Sequence, residues 1–385
     1  MPGLLPFFVI LLAGLVFSEV FKRLHLPYVN ALILAGILIG PFFLNLIEID
    51  ETVTFLGSIG VVFLMFIAGS EVKIGSFKNM GKSIFVLSIL NGAIPFITGF
   101  SIGLYFGYDY FTCMILGTIF VSSSIAVIIP SLESNKLLDT KLGNTIVSAT
   151  VFEDISSLIL LAVILQSFVH KTSLPLPVYI PTIILLIISL KIIIPRIQKK
   201  YYRRKKGKDL FESELRFVLV VLIATVLLLE TLGMHSIIAG FIIGIILSDS
   251  ISERIEDKIR TVSYGIFIPT FFLIMGMRTD MSVLYSMASV MLTVSIVGGL
   301  IVSKIASGWV AGRLIRFSAK ESLLIGIATT PQLSTTLATA FAALEFGLLT
   351  HELITSLVFL SIVTTFSVPL AIRFIVSKRD VPVEK

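Results

Sequence analysis

Apolar runs long enough to cross a bilayer as helices recur from one end of this 385-residue chain to the other. Thirteen can be counted: residues 4–21, 28–44, 53–70, 83–106, 110–130, 143–168, 176–195, 213–231, 234–249, 261–278, 282–312, 320–346 and 351–375. None alternates apolar and polar residues as the strands of an outer-membrane barrel do. In lipid each segment must satisfy its own backbone polar groups, which leaves α-helices. The expected fold class is therefore an all-α polytopic membrane protein with thirteen transmembrane helices. Composition agrees: charged residues make up 14% of the chain, against about 25% in a soluble domain. The first run is read as a permanent helix, because Lys22-Arg23 follows it where a signal peptide would have basic residues in front.

The charges report topology. With the N-terminus outside, all of the 30 Lys and Arg except Lys171, Lys191, Arg278 and Lys304 fall on the cytoplasmic side. The expectation is a multi-pass protein of the cell membrane, N-terminus outside and C-terminus cytoplasmic. The basic linker from Lys199 to Lys208 obeys the same rule and could also attract anionic lipid headgroups. The net charge of +6 sits in short loops and makes no nucleic-acid site. One cysteine, Cys113, allows no intrachain disulfide and reads as a small buried hydrophobe. The four His are scattered without zinc-ligand spacing. No resident cofactor and no enzymatic activity are expected.

Taking the seventh segment and the basic linker as a divider leaves two sets of six segments that start on opposite sides of the membrane. Such inverted halves are common in secondary transporters. The division is one transmembrane domain: a first repeat at 1–168, the seventh helix and linker at 169–212, a second repeat at 213–375, and a short tail at 376–385. Interrupted helices fall at matching places. The fifth segment carries Ser122-Ser123-Ser124 before Pro130, and the twelfth carries Thr329-Thr330-Pro331-Gln332. Proline removes a backbone donor, and hydroxyls can line the resulting cavity. Ser122, Pro130, Thr330, Pro331 and Gln332 are expected to line two broken helices that meet near the midplane.

Three charges lie deep. Glu153 is about 15–18 Å and Lys304 about 13 Å from the cytoplasmic ends of their segments, at ~1.5 Å rise per residue. Asp154 follows Glu153 and points about 100° away from it on a helix. Intramembrane ionisable residues usually mark an ion pathway or a proton relay. One lysine neutralises one carboxylate and leaves the other unpaired. Burial and a like charge favour the protonated form of such a carboxylate, so a proton and a cation compete for it. Spacing does not decide which acid faces Lys304; the assignment taken is Glu153 to Lys304 and Asp154 to the cation.

With these residues named, the chain resembles the monovalent cation:proton antiporter family, in the branch of bacterial and archaeal sodium/proton antiporters related to Kef-type potassium efflux proteins. The resemblance rests on Leu26 to Pro41, Leu56 to Glu71, Phe271 to Met277, the Glu153-Asp154 pair and Lys304. It implies thirteen helices in inverted six-helix repeats, two crossed broken helices, a core domain that moves like an elevator against a dimerisation domain, and a homodimer. It also implies that Asp154 binds the ion and carries the proton, that Glu153 pairs with Lys304, and that Ser123 and Ser124 lie beside the ion. The chain ends at Lys385, so the nucleotide-binding regulatory domain of Kef-type proteins is not expected. The expected function is exchange of sodium, or lithium, for protons by alternating access. A potassium/proton exchanger of Kef type is the near rival. A sodium-coupled organic solute symporter is the more distant one, and it should lack the acidic pair and lysine.

Overall fold

The computed structural model describes residues 4–23, 28–71, 81–168, 176–203, 212–248 and 251–377. Every regular element in them is helical. In order these are α1 (Leu4–Arg23), α2 (Tyr28–Ile39), α3 (Glu51–Ser70), α4 (Lys82–Tyr105), α5 (Tyr110–Val121), α6 (Ile125–Ser134), α7 (Lys141–Phe168), α8 (Leu176–Arg203), α9 (Ser213–Thr231) and α10 (Ser236–Ser248). There follow α11 (Glu253–Val262), α12 (Ile268–Met277), α13 (Met287–Leu314), α14 (Ala319–Ala328), α15 (Ser334–Glu345) and α16 (His351–Ser377).

Each of the thirteen apolar runs is helical. Among the described residues nine helices are long and apolar enough to cross a membrane, with α5 and α6 counted as one span and α11 and α12 as another. The count of thirteen spans is therefore not reached by length and composition alone. α2 and α10 are apolar but short, α9 carries Glu214, Arg216 and Glu230, and α14 and α15 are the two pieces of a broken helix. The tenth run starts earlier than expected. Its charged lead-in forms α11, which buries Ile255 and Ile259, and a π-helical turn at Ser263–Phe267 joins it to α12. Part of the basic linker, Arg204 to Lys208, lies outside the described residues, as do Lys73, Lys78, Lys171, Lys378, Arg379 and Lys385.

The chain forms two compact units interleaved in sequence. One holds Met1–Thr54, Lys78–Ile164 and Phe272–Lys385; the other holds Phe55–Phe77 and Leu165–Phe271. In the first unit, Leu87 of α4, Ile128 of α6, Ile146 and Ala149 of α7, Ala311 of α13, Leu324 and Ile325 of α14 and Ile372 of α16 form one buried apolar cluster. It packs the helices that carry the deep charges.

Glycines set the closest packing. Pairs with a four-residue spacing include Gly36 and Gly40, Gly99 and Gly103, Gly240 and Gly244, and Gly308 and Gly312. Small residues at this spacing let membrane helices approach closely. A Cβ on Gly36 would lie 1.9 Å from the Leu273 carbonyl oxygen, and one on Gly308 would lie 2.4 Å from the Gly326 Cα. Both partners are backbone and cannot rotate aside. Gly36→Ala is expected to cost at least the upper end of the usual overpacking range of about 1–3 kcal/mol. Gly298→Ala, where nothing lies within 4 Å, should be neutral or slightly stabilising. Melting temperatures of the two purified variants in detergent would check the contrast.

Candidate ion site at two crossed helix breaks

Serine hydroxyls compete with helical hydrogen bonding, and α5 stops where three serines follow one another. Ser122 turns extended, with ψ of 163°, and its hydroxyl donates to the Ile119 carbonyl at 3.1 Å. α6 restarts after Ser124. The second break runs through Thr329 to Leu333. Proline disfavours helical backbone in the residue before it, and Thr330 precedes Pro331 here. The Thr329 and Thr330 hydroxyls close the end of α14 by donating to Ile325 and Gly326 carbonyls at 2.9 and 2.8 Å.

The two breaks are bonded to each other. The Ser124 N–H donates to the Pro331 carbonyl at 2.7 Å, and Gln332 Nε2 donates to the Ser122 carbonyl at 2.5 Å. The Ser122 hydroxyl reaches Gln332 Oε1 at 3.1 Å and the Thr336 hydroxyl at 3.2 Å. Thr336 and Gln332 are themselves hydrogen-bonded. The Gln332 N–H is held by the Thr364 hydroxyl at 3.1 Å. Ser122, Ser123, Ser124, Thr330 and Gln332 are all buried. Pro130 departs from expectation. It lies inside α6 on its exposed side, not in the gap. The serines interrupt the fifth segment; the proline does not.

The deep charges converge on the first break. Lys304 Nζ donates to Glu153 Oε2 at 2.9 Å, to the Ser123 hydroxyl at 3.0 Å and to the Val121 carbonyl at 2.8 Å. The lysine thus caps the C-terminal end of α5, where a helix favours positive charge. The other Glu153 oxygen, Oε1, accepts from Asn91 Nδ2 at 2.9 Å. Glu153 and Lys304 are sealed, at 1% and 0% exposure.

Asp154 stands differently. Its Oδ1 accepts the Ser123 N–H at 3.2 Å, the Thr335 side chain is a further hydrogen-bonding neighbour, and the residue keeps 8% exposure. No Lys or Arg among the described residues lies within ion-pair distance of it. Two buried hydroxyls have no hydrogen-bond partner: Ser124 Oγ, next in the chain to Ser123, and Thr150 Oγ1, one turn before Asp154 on α7. Asn91, Thr150 and Ser307 were not singled out by the sequence, and Thr335 stood only as one of the hydroxyls clustered around Pro331. For Asn91, Thr150 and Ser307 a polar interruption of an apolar helix was the only signal.

Hard oxygens suit a small cation that keeps a polar shell. The arrangement offers one carboxylate, unpartnered hydroxyls and two unwound backbones, beside a second carboxylate already neutralised. That is the equipment of a membrane transporter built on broken helices. The chain belongs to the sodium/hydrogen exchanger transmembrane family, which matches residues 7–378. It is 30% identical to the probable Na(+)/H(+) antiporter 3 of Methanocaldococcus jannaschii over 383 residues, covering 96% of this chain and 95% of that one. It is 26% identical to the Na(+)/H(+)-K(+) antiporter GerN of Bacillus cereus, covering 96% and 95% of the two chains. Its fold is similar to that of the sodium proton antiporter MjNhaP1 from Methanocaldococcus jannaschii, with a TM-score of 0.72, 18% identity and 98% of each chain covered.

Proposed function

We propose that this protein exchanges sodium, or lithium, for protons across a cell membrane by alternating access, with cation and proton competing for Asp154. The observation that carries this is the division of labour between adjacent acids. Glu153 spends both carboxylate oxygens on Lys304, Ser123 and Asn91. Asp154 keeps only neutral donors. A buried carboxylate without a counter-ion binds a proton or a metal ion. The cation would be held by Asp154, by Ser123 and Ser124 with the carbonyls of their break, and by the Thr150 hydroxyl.

Inverted six-helix repeats at 1–168 and 213–375 belong to the proposal. The glycine contacts support them. Gly36 meets the Leu273 carbonyl and Gly276 meets that of Ile33; correspondingly, Gly244 meets the Phe66 carbonyl and Gly69 meets that of Phe241. Likewise Gly99 meets the Leu116 carbonyl and Gly103 meets Cys113, while Gly308 and Gly312 meet Gly326 and Ser322. The matching positions keep a near-constant separation along the chain, as duplicated halves would. A cytoplasmic C-terminus follows from the distribution of Lys and Arg. A homodimer, and anionic lipid at the Lys199 to Lys208 linker, are further parts of the proposal.

Proteoliposomes with an inward-acid gradient test the cation. Sodium or lithium chloride is expected to make the lumen alkaline, and the apparent KM for sodium should rise as pH falls. A response to potassium alone would move the protein to the Kef-like reading, which the two cations in the name of GerN keep in view. Uptake of an organic solute with no proton movement would favour the symporter.

A further inference from the structure

Asn91 is fully buried in the middle of α4, and both ends of its amide are used. Nδ2 donates to Glu153 Oε1 at 2.9 Å. Oδ1 accepts from the Ser307 hydroxyl at 2.8 Å. Ser307 sits on α13, three residues after Lys304. The lysine and the amide clasp therefore approach the same glutamate, Lys304 at Oε2 and Asn91 at Oε1. The ionised Glu153 carboxylate, which only accepts, fixes the sense of the amide, and the Ser307 hydroxyl, also 3.1 Å from the Lys304 carbonyl, anchors the carbonyl end. Turned round, Asn91 would aim a lone pair at a carboxylate. The backbone at this turn of α4 is also loosened, since Pro95 cannot return an N–H to the Asn91 carbonyl.

We infer that Asn91, anchored by Ser307, is a positioning residue that holds Glu153 on Lys304 and keeps the second carboxylate out of the cation shell. The chemistry of the neighbourhood makes such a restraint useful. Ser123 is a shared wall: its hydroxyl donates to Glu153 Oε2 at 2.9 Å and its N–H to Asp154 Oδ1 at 3.2 Å. A Glu153 oxygen freed from Asn91 is a buried acceptor without a donor, which is costly. The strongest attraction then open to it is a cation held at Asp154. A second carboxylate in the shell would bind sodium more tightly and release it more slowly.

This inference rests on the proposed site at Asp154. It is tested in proteoliposomes by sodium-driven proton movement at fixed pH, comparing the unaltered protein with Asn91→Leu, Ser307→Ala and the double variant. Asn91→Leu is expected to lower both KM and maximal rate, KM by about tenfold, the size of one hydrogen bond to a charged group. Ser307→Ala should move both the same way by less, and the double variant should match Asn91→Leu. A merely structural role would lower the yield or melting temperature and leave the KM of the surviving protein unmoved. Ser307→Ala removes one hydroxyl and keeps the helix, so it decides the question even where Asn91→Leu fails to fold. A KM unchanged or raised in Ser307→Ala, with the unaltered protein active, overturns the inference. An unaltered protein that moves no protons on sodium overturns the proposed function instead.

Discussion

Asp154→Asn is expected to abolish sodium-driven proton exchange and to leave the protein folded. Asparagine keeps the shape of the side chain and an oxygen that can accept the Ser123 N–H, now given to Asp154 Oδ1. It removes the negative charge, and with it the proton that would be exchanged. No lysine or arginine among the described residues pairs with Asp154, so the substitution strands no opposite charge. The melting temperature in detergent should therefore stay equal to or above that of the unaltered protein, because desolvating a lone carboxylate is unfavourable. Loss of transport with unchanged melting separates a site residue from a structural one. Residual exchange above a few per cent of the unaltered rate would place the exchanged proton elsewhere.

The second large effect concerns Lys304. Removing one partner of a buried ion pair costs about 3–5 kcal/mol, because the other charge is left uncompensated. Lys304→Met would leave Glu153 sealed from water without its counter-charge, so that it stays ionised or takes up a proton at a cost in stability, and would strand the Val121 carbonyl at the end of α5. A marked fall in melting temperature is expected. Adding Glu153→Gln should recover most of it. The glutamine carbonyl can still accept from Asn91 Nδ2, the bond now made to Glu153 Oε1, and no net charge stays buried. The three proteins can be compared by thermal unfolding in one detergent. If the double variant is no more stable than Lys304→Met, the bridge is not what holds this region together.

These expectations draw on both the sequence and the fold, in unequal parts. The helices were legible because bilayer-length apolar runs admit one solution. The breaks were legible because hydroxyl clusters and Pro331 interrupt such runs. Pro130 misled: proline is a helix breaker on average, but one turn into α6 and facing outward it costs a single donor. α11 was misread for the opposite reason. Its charges looked like a loop, while Ile255 and Ile259 keep a helical spacing of four and are both buried. The glycine pairs at 36 and 40, 99 and 103, 240 and 244, and 308 and 312 were not singled out, although their spacing is itself a signal of close packing. Asn91, Ser307, Thr335 and Thr364 were not legible as parts of the site. Their partners are far away in the chain, and no period in the sequence marks which polar residue packing will bring to a distant partner.

The measurement that bears most directly on competition at Asp154 is proton release on sodium binding. Purified protein in weakly buffered detergent solution, held near neutral pH, is given sodium chloride, with choline chloride as the ionic-strength control. Protons should leave the unaltered protein on sodium and not on choline, and none should leave Asp154→Asn. Sodium binding without proton release, or equal release from Asp154→Asn, would contradict a single carboxylate serving both ions.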